Sequence, residues 1–242
     1  MTEEELAIEQ RAIAFAKAHR TEIAREIACK QLYPGEEAPI SVFMAGSPGA
    51  GKTEVSKELI GILEAHGVRA LRIDPDDFRS RFPEYTGTNS KLFQKAVTTI
   101  VERVHDLVLQ QRQSFLLDGT LANLKVATRN IERSLAKGRS VQVVYVYQRP
   151  ELAWDFVVAR EITEGRNIPC AEFVRQFFCA RDTVRQLKKS YGADLHVDVI
   201  VKDNDGQASE IGIDLDCDGI DALVNHTYDP VELERFLTEE KS

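Results

Sequence analysis

An apolar run, Ser41-Val-Phe-Met-Ala45, breaks into Gly46-Ser47-Pro48-Gly49-Ala50-Gly51-Lys52-Thr53 and then into a segment with Val55, Leu59, Ile62 and Leu63 at helical spacing. Gly-x-x-x-x-Gly-Lys-Thr between a strand and a helix is the phosphate-binding P-loop pattern, and few architectures accommodate it. The glycines let successive backbone N–H groups turn toward one anion, and the helix begins there with its positive dipole end. The pattern assigns residues 46–53 to nucleotide phosphates, with Lys52 on the terminal phosphates and the Thr53 hydroxyl on Mg²⁺. A chance Gly-rich turn would lack the flanking strand and helix. The segment therefore reads as a nucleoside triphosphate site.

Strand-like runs recur at 68–73, 114–118, 141–147 and 195–201, with amphipathic segments between them. The longest stripe, Leu92, Phe93, Ala96, Val97, Ile100, Val101, Val104 and Val108, predicts a helix over 90–112. Such alternation predicts a P-loop kinase-like, three-layer α/β fold: a mostly parallel five-stranded sheet with helices on both faces. Residues 1–36 read as an N-terminal helical lead-in, opened by a Thr2/Glu5 capping box, and 37–242 as the P-loop domain, with a helical lid around 150–190. In sheets of this kind ligands sit at the carboxyl ends of the strands. Asp74-Pro75-Asp76-Asp77 and Asp118 both fall there, as the P-loop does.

A net charge of −8 argues against broad, non-specific nucleic-acid binding. No apolar run approaches the roughly 20 residues of a membrane span, and the opening Met-Thr-Glu-Glu-Glu lacks the layout of a secretory signal. Cys29, Cys170, Cys179 and Cys217 show neither Cys-x-x-Cys spacing nor a nearby His. The expectation is a cytoplasmic protein without disulfides or structural metal. Asp214-Leu-Asp216-Cys-Asp218-Gly219 matches the first half of an EF-hand loop, but Asp221 and Asn225 spoil the second half, so it reads as an acidic turn.

A P-loop alone does not say where the phosphate goes. No Asn-Lys-x-Asp guanine signature is present, and Leu116-Leu117-Asp118 runs into Gly119-Thr120 rather than the Asp-Glu of many motor ATPases. A small-molecule kinase needs a carboxylate by the acceptor hydroxyl and arginines over the transferred group. Asp74, Asp76 or Asp77 could accept the hydroxyl proton, and Asp118 could orient Mg²⁺ through water or hold the substrate. Arg160 and Arg166 flank Glu161-Ile-Thr-Glu-Gly165, where a lid would carry them onto the γ-phosphate. Each also has a plainer reading, as a helix cap or a solvated surface charge.

The order Gly46–Thr53, Ile73-Asp-Pro-Asp-Asp-Phe78, Leu-Leu-Asp118-Gly-Thr120 and Arg160-Glu-Ile-Thr-Glu-Gly-Arg166-Asn-Ile-Pro resembles the zeta toxin family over about residues 40–205. The resemblance implies a kinase that uses ATP and Mg²⁺ to phosphorylate a UDP-N-acetylamino sugar, often checked by an antitoxin. It implies Asp76 as base, Lys52 as the P-loop lysine, Arg160 and Arg166 as the phosphate clamp, and Asp74, Asp118 and Thr120 on the substrate side. Asn204, just past the last strand, is similar in position to residues that hold adenine in related kinases. Two departures stand out: Asp118 replaces a Glu of the best-known toxins, and the two arginines lie closer together. Two rivals stay open: a kinase of a nucleotide, nucleic-acid end or other metabolite, and a nucleotide-binding switch in which Asp76 is only a helix cap.

Overall fold

The computed structural model describes residues 1–165, 167–225 and 227–239. Five parallel strands form the heart of the sheet: β1 (Ile40–Ala45), β2 (Leu71–Ile73), β3 (Phe115–Leu117), β4 (Ser140–Tyr147) and β5 (His196–Lys202). A sixth, β6 (Ala208–Gly212), adds antiparallel to β5 and completes the order β2-β3-β1-β4-β5-β6. The five-stranded expectation is corrected here. In β6 the first four residues are exposed, so this edge strand rests on main-chain pairing with β5 and carries no apolar alternation that would announce it.

Alternate residues of β1 face opposite layers. Val42 and Met44 join Leu116, Val144 and Val146 in a smaller core with Val55, Leu59 and Ile60 of α2 (Lys52–Ala65). Phe43 and Ala45 belong to the larger core on the other face. That core takes buried residues from α3 (Gln94–Gln110), α4 (Leu124–Leu135), α5 (Pro150–Glu164) and α6 (Cys170–Tyr191). It also takes Ile220 of α7 (Cys217–Leu223) and Leu233 and Leu237 of α8 (Pro230–Glu239). Helices on both faces satisfy a parallel sheet that is apolar on both sides.

The lead-in is α1 (Glu3–Ile27), capped by the Thr2/Glu5 box. Its Ala12, Ala16, Ile23 and Ala24 are buried in the same core as the α3 stripe, and the small side chains let the two helices approach closely. Ion pairs Arg11–Glu84 at 2.7 Å, Arg81–Glu26 at 2.7 Å and Lys95–Glu9 at 3.1 Å line this seam. Among the described residues no helix is long and apolar enough to cross a membrane.

The topology sets the site. From β1 the chain moves outward past β3 to β2, returns to β3, then crosses β1 to β4. The carboxyl end of β1 is therefore a switch point, where the connections diverge and leave a crevice. The P-loop leaves β1 there.

Candidate active site

Three backbone positions shape the loop. Gly46 (φ 139°), Gly49 (φ 76°) and Gly51 (φ 81°) occupy the region that favours glycine. Space matters as much as dihedral: a β-carbon at Gly46 would lie 2.3 Å from the Val146 carbonyl oxygen, and one at Gly49 only 2.0 Å from that of Ala153. The loop is thus pressed between β4 and the first turn of α5, and the Gly46 N–H donates to the Thr120 carbonyl at 3.2 Å. Gly51 precedes Lys52 as the N-cap of α2, and the Lys52 ammonium curls back to the Ser47 carbonyl at 2.6 Å. Ser47, Ala50 and, in part, Pro48 are shielded within this bend, as is the Thr53 side of the helix start.

A charged knot stands beside α2. Arg72 of β2 points to the α2 face while Leu71 and Ile73 enter the larger core. Its guanidinium donates to Ser56 at 2.9 Å, to Asp118 at 2.6 Å and to Asp74 in a shorter contact. Ser56 also donates to Asp118 at 2.8 Å, and Asp118 is only 6% exposed. Burial disfavours the Arg72 charge, but Asp118 and Asp74 outweigh it and hold its pKa above the ordinary value. Asp74 moves the other way for a carboxyl: burial raises it, against the backbone hydrogen bond from Asp76. That bond, 2.8 Å, makes Asp74 the N-cap of the 3-10 helix Pro75–Arg81. Capping thus falls to Asp74, not Asp76.

Asp76 instead sits in the first turn and meets two arginines. Arg79, buried and three residues on, pairs with one carboxylate oxygen at 2.7 Å and reaches Gln94 at 3.3 Å. Arg160 of α5 approaches the other oxygen at 4.0 Å. Helix α5 therefore aims its arginine at the acid that follows β2. At its end, Gly165 (φ 69°) closes α5 beside Thr88, whose methyl group would lie 2.8 Å from any β-carbon there. The loop after the 3-10 helix and the end of α5 thus wall the same corner. Arg166 lies outside the described residues. Asn204 is exposed in the Asp203–Gly206 turn after β5, and Asp77 reaches Arg72 at 3.4 Å.

Mg²⁺ keeps much of its water and takes one or two protein oxygens beside substrate phosphates. The Thr53 hydroxyl and the Asp118 carboxylate are donors of that kind. Asp118 already holds Arg72 and Ser56 through Oδ2, which suits contact through water better than direct ligation. Among the described residues no three His, Cys, Asp or Glu side chains are grouped to hold a metal ion. In the acidic 214–221 segment, Asp216 caps α7 through the Gly219 N–H, and Asp214 pairs with His196 at 3.1 Å.

Arg72 and Arg79 were missed by sequence reasoning. An arginine between two apolar strand residues hints at a buried ion pair, and Arg79 stands at helical spacing from Asp76.

A mostly parallel sheet with the P-loop at its switch point, and an α5 arginine facing the acid after β2, is the architecture of a P-loop kinase-like fold. The chain belongs to the zeta toxin family, whose model matches residues 23–216. Toxin PezT of Streptococcus pneumoniae serotype 4 (strain ATCC BAA-334 / TIGR4) is 30% identical over 123 residues, 48% of this chain and 47% of that protein. The match thus spans about half the length of that relative. Among solved structures, one from the PezAT chromosomal toxin–antitoxin system of Streptococcus pneumoniae is similar with a TM-score of 0.65 and 17% identity, covering 99% of this chain and 96% of that one. The AvrRxo1-ORF1:-ORF2 complex with ATP is similar at a TM-score of 0.57 and 17% identity, covering 96% of this chain and 71% of that one. At such identities these two speak for the fold.

Proposed function

We propose that the chain is an ATP- and Mg²⁺-dependent kinase that phosphorylates a hydroxyl of a small acceptor, a UDP-N-acetylamino sugar. The observation that carries this reading is Arg160 of the lid facing Asp76, with the P-loop pressed against the same helix. Family membership and a solved relative in complex with ATP support the donor. The acceptor rests on the resemblance to sugar-phosphorylating toxins.

The roles follow from charge and reach. Lys52 and the loop amides hold the β- and γ-phosphates. Thr53, and Asp118 through water, would hold Mg²⁺, which neutralises charge on the phosphates. The acceptor oxygen attacks the γ-phosphorus as the bond to the ADP oxygen breaks, and Asp76 takes the hydroxyl proton. Arg160 and Arg166 balance the charge that spreads over the transferred group. Arg79 fixes the Asp76 carboxylate, and phosphoryl transfer is governed mainly by positioning and electrostatics, so a fixed carboxylate suffices. The 150–190 segment acts as the lid, Asp74 and Thr120 border the substrate side, and Asn204 borders adenine. A cytoplasmic setting and an antitoxin-like partner complete the proposal, the latter because a similar structure comes from a toxin–antitoxin system.

The test is incubation with ATP, Mg²⁺ and UDP-N-acetylglucosamine, read by mass spectrometry, with a metabolite extract in parallel. A gain of one phosphate on the sugar nucleotide is expected, and Asp76→Asn should bind ATP as the parent does but transfer at least about a hundredfold more slowly. An unmodified sugar nucleotide beside a different phosphorylated metabolite would reassign the acceptor. Equal turnover in Asp76→Asn would remove the base.

A further inference from the structure

We propose that Lys202 is a second cation of the nucleotide site, bound to the phosphate nearest the nucleoside; this rests on the kinase reading above and extends its donor site. Lys202 ends β5, where the pairing with β6 shifts register between Val201 and Lys202. Such a bulge re-aims the side chain that carries it. Here the aim is toward the loop: a β-carbon at Gly51 would lie 3.5 Å from Lys202 Cε and 4.0 Å from its Nζ, with Glu54 Oε2 at 3.6 Å. The lysine therefore leans over Gly51, the N-cap of α2.

Its backbone is held from the next residue onward. Gln148, 2% exposed at the end of β4, donates to the Asp203 carbonyl at 2.8 Å. The Asp203 carboxylate takes the N–H groups of Asp205 at 2.9 Å and Gln207 at 2.8 Å. The strand end that carries Lys202 is therefore fixed. The lysine is half-buried, and among the described residues its ammonium forms no hydrogen bond or ion pair, not even with Glu54. A partly desolvated cation is costly unless an anion approaches it, and the loop beside it is built for an anion.

Position along the loop chooses the phosphate. Lys52 turns inward to Ser47, near the start of the loop, and serves the terminal phosphates. Lys202 stands at the opposite end, on the strand that leads into the Asp203–Gly206 turn. A triphosphate whose far end meets Lys52 presents its first phosphate to Lys202. Every adenine nucleotide carries that phosphate, so the contact adds binding equally before and during transfer. Uniform binding of this sort shows in KM and leaves kcat alone.

Calorimetric titration of ADP and ATP into the full chain, without acceptor, tests this. Lys202→Met should weaken both nucleotides by the same factor, about tenfold, as for the loss of one charge-assisted hydrogen bond. Lys202→Arg should stay within about threefold of the parent, because the charge remains. Transfer at saturating ATP should keep its kcat. An unchanged melting temperature separates loss of contact from loss of fold, and Lys202→Arg reports on the contact if Lys202→Met unfolds. Unchanged affinity in Lys202→Met overturns the proposal while leaving the kinase reading intact. A loss confined to ATP moves the contact to the terminal phosphate and overturns the assignment. A parent that binds neither nucleotide removes both.

Discussion

Replacing Arg72 by Met deletes the cation that joins Asp118 and Asp74 and leaves the carbon stem in place. In the parent the guanidinium lies 2.6 Å from Asp118 and 2.9 Å from Ser56, with its side chain only 16% exposed. Without it, Asp118 keeps one hydroxyl donor, and a second carboxylate, Asp74, stands nearby with its own charge uncompensated. Breaking a buried pair by removing one member costs roughly 3–5 kcal/mol, and partial exposure of the cluster brings the expectation to about 3 kcal/mol at pH 7. The pH dependence carries the sign of the mechanism. Burial already raises the Asp74 pKa and Arg72 opposes that rise, so without the arginine its folded pKa stands further above its unfolded value, and its contribution is present at low pH and lost as pH rises through the folded pKa. The deficit of Arg72→Met should therefore shrink between pH 7 and pH 5. Urea unfolding followed by circular dichroism at both values measures it. Arg72→Met with Asp118→Asn should recover part of the loss, since the buried charge goes with its partner. A single variant within about 0.5 kcal/mol of the parent, or a deficit constant with pH, would refute the reasoning.

His105 is 2% exposed and packs on Phe43 and Phe115 at ring centroid distances of 6.2 Å and 5.0 Å. Burial first, and the Arg133 charge second, push its pKa down to about 3. Below the ordinary histidine value the unfolded chain takes a proton that the folded one refuses, so stability falls as pH drops, by about 2 kcal/mol from pH 6.5 to 5. His105→Gln should flatten that slope in the same unfolding assay. Gly49→Ala must push α5 away from a contact of 2.0 Å and also strain a left-handed backbone, so titration should show ADP affinity falling at least about tenfold. Arg160→Met should leave ATP affinity near that of the parent while transfer, followed by ADP release, drops about a hundredfold or more.

Local chemistry carried much of this protein into view before any fold was known. Gly-x-x-x-x-Gly-Lys-Thr demands a strand, a tight anion-facing turn and a helix, and β1, the loop and α2 fall where the pattern requires. The periodicities of the α3 stripe and of β4 and β5 were equally plain, because elements buried on a long face must repeat their apolar residues. Asp76 was legible as an acid after a strand, and the Thr2/Glu5 capping box as the start of α1. What a neighbour in sequence cannot reveal, packing decided. β6 is held by the backbone of β5, and hydrogen bonds between main chains leave no trace in side-chain pattern. Asp74 rather than Asp76 took the cap because only the turn geometry tells which carboxylate faces the N–H. Arg72, Arg79 and Lys202 acquired meaning when the sheet order set β2 beside β3 and carried the end of β5 over Gly51. A pattern of residues specifies the elements it lies in; which charges meet across them is a property of the crossover topology, and it exists only once the chain has closed on itself.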